Sequence, residues 1–406
     1  MSIKQFDTII IGGGIVGAST ADVLTQHGQK VLLIDQFEPG HTQGSSHGDG
    51  RIIRLGYAES VYVEMAIWSY RAWHALSEAM GKPLIQRTGT WECGPIGGQW
   101  IRELEASFRH FDIPHQRYSA TESNQRFPQY HIDDDSEAMY HPAGGVVFAT
   151  KAVQAFWAQV RLIGGTTRSG ERVERIEANE SQSVVHLVSG ERLSAKKLVI
   201  TAGGWANKLL TPLGLTLPLN VTQEQVAYFV PKNNINAPDH TMNAMPTGDD
   251  HHQDDIFFIL PQIDIPGVKI GWHQTGSTID PDDERRPIDD HVLTATQQLV
   301  QQRFPFLDPT PTFQQVCLYT NTSDDNFILD RHPTLPNIII GAGFSGHGFK
   351  FGPVLGEILA ALVMDEEPPV DLDIFRVDRF KDRQKSPQHD STQHCPPSSS
   401  QENTTR

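Results

Sequence analysis

Two glycine-rich stretches, Gly12-Gly13-Gly14-Ile15-Val16-Gly17 and Gly341-Ala342-Gly343-Phe344-Ser345-Gly346, lie near opposite ends of the chain. Each follows an apolar, strand-like run, Thr8 to Ile11 in the first case and Ile338 to Ile340 in the second, and leads toward a helix-like stretch. That setting suits a bound nucleotide: glycines let the backbone turn tightly and approach the ligand, and a helix N-terminus offers unpaired N–H groups and the positive end of its dipole. One such turn is a weak signal. Two imply a sheet whose first and last strands both face one large ligand.

Outward from the first turn, residues 6 to 35 read as one βαβ unit: a strand Phe6 to Ile11, the turn, a helix Ile15 to His27, and a strand Lys30 to Ile34 closing on Asp35. Gly12, Gly14 and Gly17 have the G-x-G-x-x-G spacing, and an acid about twenty residues further on accepts from a ribose hydroxyl. The alternative is a structural turn without a ligand. Next, Gly44 to Tyr57 crowds His47, Asp49, Arg51 and Arg54 around glycines. Such loops are usually only solvated, but this one follows a nucleotide-type unit, and Arg54 has the fork to hold a carboxylate by two donors. Val61 to Met80 reads as a helix on the core, with Trp68 and Trp73 as packing residues. Lys197 to Ile200 runs into Thr201-Ala202-Gly203-Gly204-Trp205, a buried strand ending in small residues that touch the nucleotide from another side.

Two excursions interrupt this pattern, at about Gly89 to Gly145 and Leu219 to Asn321. The second holds partly alternating strands at Gln225 to Val230, Ile256 to Leu260, Val268 to Trp272 and Phe313 to Tyr319, as in an antiparallel sheet with one wet face. Such a sheet roofs a substrate cavity. The expected fold is α/β, α+β as a whole. A Rossmann-like nucleotide-binding domain is expected from 1–88, 146–218 and 322–386, and a discontinuous antiparallel-sheet substrate domain from 89–145 and 219–321. Residues 387–406, rich in Ser, Gln, Pro and Thr, read as a disordered tail.

The 406 residues carry 33 Lys plus Arg against 49 Asp plus Glu, a formal charge of −16, so no general attraction to nucleic acid or to an anionic membrane is expected. No apolar run is long enough to span a bilayer, and no basic stretch precedes an apolar one as in a secretory signal. Cys93, Cys317 and Cys395 make neither a disulfide framework nor a metal-finger spacing, so no metal site is expected and a reducing, cytoplasmic setting is. The final Thr404-Thr405-Arg406 matches no peroxisomal address.

Four side chains are candidates for chemistry. Lys269 sits in an apolar strand and either reaches solvent at a sheet edge or is held in a cavity; His273 shares that ambiguity. Lys350 stands at the mouth of the second glycine turn. Cys317, near a strand end, has a buried inert thiol as its ordinary alternative.

Taken together, GGGIVG with Asp35, Ser45-Ser46-His47-Gly48-Asp49-Gly50-Arg51-Ile52-Ile53-Arg54, Leu198 to Trp205, the strand with Lys269 and His273, Cys317 to Asp330, and Gly341 to Pro353 resemble monomeric sarcosine oxidase and N-methyltryptophan oxidase. These are FAD-dependent amine oxidases of the D-amino acid oxidase superfamily, and the resemblance runs from about Phe6 to Phe380. It implies FAD as the ligand, held by Gly12, Gly14, Gly17, Asp35, Gly203, Gly343, Gly346 and Gly348. It implies that Cys317 carries the flavin through a thioether to the 8α-methyl group. Arg54 and Lys350 match the pair that grips the substrate carboxylate, Lys269 the lysine that activates O₂ over the flavin, and His47 and Arg51 the residues against the other flavin face. Tyr319 and His273 match pocket-lining side chains. Phe258, Trp272 and Gly50 depart from the family's tyrosine, tyrosine and threonine, and the lost hydroxyl at Phe258 leaves the choice of secondary amino acid open. The implied protein is a monomeric oxidase of N-methyl or cyclic amino acids. A dehydrogenase with another electron acceptor and a non-catalytic flavoprotein remain as alternatives.

Overall fold

The computed structural model describes residues 3–233, 236–251, 256–283 and 286–381. The expected tail lies outside these residues. Strand Lys4–Ile11 pairs in parallel with Val31–Ile34 on one side and with Arg192–Ile200 on the other, and Arg192–Ile200 pairs in parallel with Ile338–Ala342. Four parallel strands therefore end at one edge, where Gly12, Asp35, Thr201 and Gly343 follow. That edge is where open parallel sheets bind ligands. Ile9, Ile10, Val31, Leu32, Leu33, Val199, Ile200, Ile338 and Ile339 are almost wholly buried. At about 1.5–3 kcal/mol for each fully buried aliphatic side chain, this layer is a large share of the driving force.

Three helices cover one face. Ile15–Gln26 is nearly all buried, with Gly352–Met364 and Ala149–Leu162 packed beside it. The hydroxyl of Ser19 donates to the Gly352 carbonyl at 2.7 Å, which ties the first helix to the last. Ser60–Met80 also packs on this layer and buries Trp73 fully, but Trp68 is 40% exposed. The expected packing role holds for Trp73 alone: five positions apart, the two indoles leave the helix about 140° from each other.

The elements of 89–145 and 219–321 meet in a second sheet of nine strands. Its order runs from Ser277–Thr278 through Asn220–Phe229, Val268–Trp272, Phe257–Leu260, Thr247–Asp250, Thr90–Pro95 and Ser136–His141 to Gln116–Ser119, with Phe313–Asn321 also on Asn220–Phe229. The sheet is not wholly antiparallel as expected, because Thr247–Asp250 joins Thr90–Pro95 in parallel and so links the two excursions. No described helix is long and apolar enough to cross a membrane.

Candidate active site

The four parallel strand ends surround a cavity of about 520 Å³, within the range of cofactor sites. Gly12, Gly14, Asp35, Arg51, Gly203, Gly346 and Gly348 line it, with Thr201 to Trp205 and Glu171 to Glu174. Gly12 has φ +102°, and a Cβ there would lie 2.4 Å from the Thr201 carbonyl oxygen, so no larger residue fits between the two strand ends. Asp35 accepts from the Gly13 N–H at 2.6 Å and the Phe37 N–H at 2.8 Å, which fixes the acid at the end of its strand. Gly17 and Gly343 line neither this cavity nor the next. A Cβ on Gly17 would meet the Gly12 carbonyl oxygen, and one on Gly343 the Thr322 methyl group, so both shape the turns from behind.

A dinucleotide fits here by chemistry as well as size. The glycine walls let a ligand approach the backbone, Asp35 lines the cavity, and the buried Thr320 hydroxyl in the lining has no hydrogen-bond partner among the described residues. A helix starts at Ile15, whose N–H donates to the Ser46 hydroxyl at 3.2 Å.

A second cavity, of about 370 Å³, shares Arg51, Tyr319, Gly346 and Phe349 with the first. His47, Arg54, Lys269, His273, Cys317 and Lys350 all line it. The close approach at the shared wall depends on Gly346, φ +78°, where a Cβ would lie 2.1 Å from the Tyr319 ring. Lys350 is 7% exposed, and its ammonium donates to the Tyr57 hydroxyl at 2.8 Å and to the His347 carbonyl at 3.1 Å. Burial, with the charge of Arg54, lowers its pKa to about 7.

Arg54 departs from the expected open fork. Its Nε lies 2.8 Å from Asp249, and its Nη1 lies 3.3 Å from Glu92 and also donates to the Gly56 carbonyl. Two of its nitrogens are thus engaged by the protein's own acids, which hold the guanidinium in one orientation at the cavity floor. Glu92 and Asp249 were missed by the sequence reading. The available signal was an acid set among buried strand residues in Thr90-Trp91-Glu92-Cys93; the sequence of Thr247-Gly248-Asp249-Asp250 offers none.

The roof follows from register. Val226, Gly271, Phe258 and Asp249 are successive cross-strand partners, so their side-chain positions share one face, and three of them line the cavity. One step along the strands on either side, the pleat turns residues away; two steps from Gly271 it brings back Lys269, 3% exposed. Lys269 is held in the cavity and does not reach solvent. Its ammonium donates to the Gly50 carbonyl at 3.1 Å and lies 3.8 Å from Asp49; burial beside Arg51 lowers its pKa to about 7. His47 is buried, and loss of solvation with the charges of Arg51 and Lys269 lowers its pKa to about 3, which leaves the imidazole neutral. His273, at about 4 for the same first cause, packs 5.6 Å from the Tyr319 ring. Cys317 is buried with its thiol pKa raised by desolvation, opposed by Arg51. Among the described residues no group of acids, histidines and cysteines has a metal-binding arrangement.

A long cleft across the ends of a parallel sheet, meeting at a shared wall a pocket lined by cations, is the arrangement of a nucleotide-binding enzyme with a substrate pocket beside the nucleotide. Residues 7–362 match the family described as FAD dependent oxidoreductase (DAO), and the chain belongs to that family. It is 37% identical over 384 residues to the peroxisomal sarcosine oxidase of Homo sapiens, covering 92% of this chain and 96% of that one. To the monomeric sarcosine oxidase of Bacillus sp. (strain NS-129) it is 32% identical over 387 residues, covering 92% and 97%. The solved structure of NikD, described as an unusual amino acid oxidase essential for nikkomycin biosynthesis, superposes with a TM-score of 0.80 at 23% identity, covering 92% of this chain and 98% of that one. The resemblance found in the motifs is thereby borne out, and the protein is an FAD-dependent oxidoreductase.

Proposed function

We propose that the protein is an FAD-dependent oxidase of N-methyl or cyclic secondary amino acids, working as a monomer with its flavin bound covalently through Cys317. The observation that carries this reading is the junction of the two cavities at Arg51, Tyr319, Gly346 and Phe349. FAD held at that junction would supply hydride acceptance beside the pocket that Arg54, Lys350 and Lys269 line. The names of the sarcosine oxidases and of NikD support an amine or amino acid as the electron donor.

FAD, when bound, accepts a hydride and returns the electron pair to O₂ as H₂O₂. Arg54 and Lys350 hold the substrate carboxylate, because two cations in a water-poor pocket gain most from an anion that replaces their lost hydration. Tyr319 and His273 confine the amine. Neutral His47 and Arg51 would hold the ring, and Lys269 would supply a fixed cation where O₂ acquires negative charge. For an N-methyl substrate the bond broken is C–H of the methyl group. One water adds to the resulting imine, so R–NH–CH₃, O₂ and H₂O give R–NH₂, formaldehyde and H₂O₂.

An anaerobic screen of flavin bleaching by sarcosine, N-methyltryptophan, pipecolate, proline and glycated amino acids tests the reading, with oxygen consumption during turnover separating an oxidase from a dehydrogenase. No bleaching by any of them overturns it. A cytoplasmic location is part of the proposal and stands against relatives named as peroxisomal; cell fractionation decides between them.

A further inference from the structure

The substrate cavity has more acid around Arg54 than a site for a carboxylate needs. Glu92 and Asp249 are direct cross-strand partners, and both reach the same guanidinium, that of Arg54. Glu92 is fully buried and lies behind Arg54, outside the cavity lining; Asp249 is part of the lining. With both acids ionised, Arg54 and Lys350 are already balanced charge for charge. A substrate carboxylate then adds a third negative charge to two positive ones among buried side chains. Such an excess is costly, at least several kcal/mol for an uncompensated buried ion. A proton on one of the two acids restores the balance.

Resting on the assignment of Arg54 and Lys350 as the carboxylate grip, we propose that Glu92 and Asp249 hold one shared proton whenever a substrate carboxylate is bound, so that substrate binding is coupled to proton uptake by this acid pair. Glu92 takes the larger share. Its nearest Arg54 nitrogen is 3.3 Å away, against 2.8 Å for Asp249, and the Nε2 of His141 lies 4.0 Å from it. His141 gives no compensating charge, being fully buried and lowered to about 3. The remaining groups facing Glu92 are Lys350, Tyr57 and Trp100. Desolvation and the charge of Asp249, partly opposed by Arg54, raise Glu92 to about 7, within the range where a bound anion decides its state. Asp249 is also raised by burial.

Glu92 and Asp249 are positioning residues here: they act through Arg54 and set the charge that the substrate meets. The test is calorimetric titration of the FAD-loaded enzyme with benzoate, an unreactive carboxylate, at pH 8 in two buffers of different ionisation enthalpy, which counts the protons taken up. The parent should take up about one proton more than Glu92→Gln, and the difference should vanish at pH 6, where the acid pair is already protonated. Asp249→Asn should lower the count in the same way, since either neutral side chain balances the site. Equal counts in parent and variants at pH 8 assign the proton to Lys350 and overturn the proposal. If benzoate fails to bind, the proposal also falls, and flavin bleaching by a secondary amino acid then shows separately whether the oxidase reading survives.

Discussion

Arg54 and Lys350 share one aromatic ring: the guanidinium carbon lies 4.8 Å and the ammonium nitrogen 5.3 Å from the centroid of Tyr57. The ring stands between two buried cations, taking the Arg54 guanidinium against the ring and the Lys350 ammonium at its hydroxyl edge. Its hydroxyl accepts from Lys350. The carboxylate that this pair of cations is proposed to hold shapes the first prediction.

Lys350→Met should raise KM by about ten- to a hundredfold, the value of one charge-assisted hydrogen bond. The ammonium, lowered to about 7, is lost as pH rises through that value, so carboxylate binding by the parent should weaken above neutrality. Steady-state kinetics across pH 6 to 9 read both effects. An unchanged KM in the variant removes Lys350 from the grip.

Lys269→Met should leave anaerobic flavin reduction nearly intact and slow reoxidation by two orders of magnitude or more, about the cost of removing one charge from a developing anion. Stopped-flow traces of the two half-reactions separate them. Collapse of the reductive half would give Lys269 a different role.

Cys317→Ser should release the flavin on acid precipitation, whereas the parent keeps it in the pellet. The thiol lines the second cavity beside Arg51, whose charge stabilises the thiolate that a link to the ring requires. A yellow supernatant from the parent would falsify covalent attachment.

Glu92→Gln should gain stability relative to the parent as pH rises from about 4.5 to about 7. The folded carboxyl is raised from 4.5 to about 7, so the native state binds more protons than the unfolded chain in that window, and the parent's stability falls across it. The gain is on the order of 3 kcal/mol in full. Thermal melts of the two FAD-loaded proteins at pH 4.5, 6 and 8 measure it, and parallel curves would mean that Glu92 stays ionised throughout.

Most of the cofactor side was legible in the residues themselves. Gly12, Gly14, Asp35 and Gly346 sit at the ends of short apolar runs, and strand, turn and helix each have a local signature that a few neighbours settle. The elements observed at Lys4–Ile11, Ile15–Gln26 and Val31–Ile34 differ from those expected by no more than two residues at any end. Motif resemblance extended this reach to Arg54, Lys269, Cys317 and Lys350, because those side chains lie within quotable strings.

Charge balance was not legible. Glu92 and Asp249 are separated by more than a third of the chain, and each alone is an unremarked acid in a strand. Only the parallel pairing of Thr90–Pro95 with Thr247–Asp250 sets them side by side. The same pairing turns Arg54 from an open fork into a held one. Lys269 illustrates the division again: its sequence fixes a lysine in an apolar strand, but pleat and register alone choose between solvent and cavity, since a shift of one residue sends a side chain to the opposite face. Local sequence set the turns that meet the nucleotide, because those are short-range matters of backbone freedom. Long-range strand pairing decided which charges meet the substrate, because electrostatic neighbours in a folded chain are a property of space.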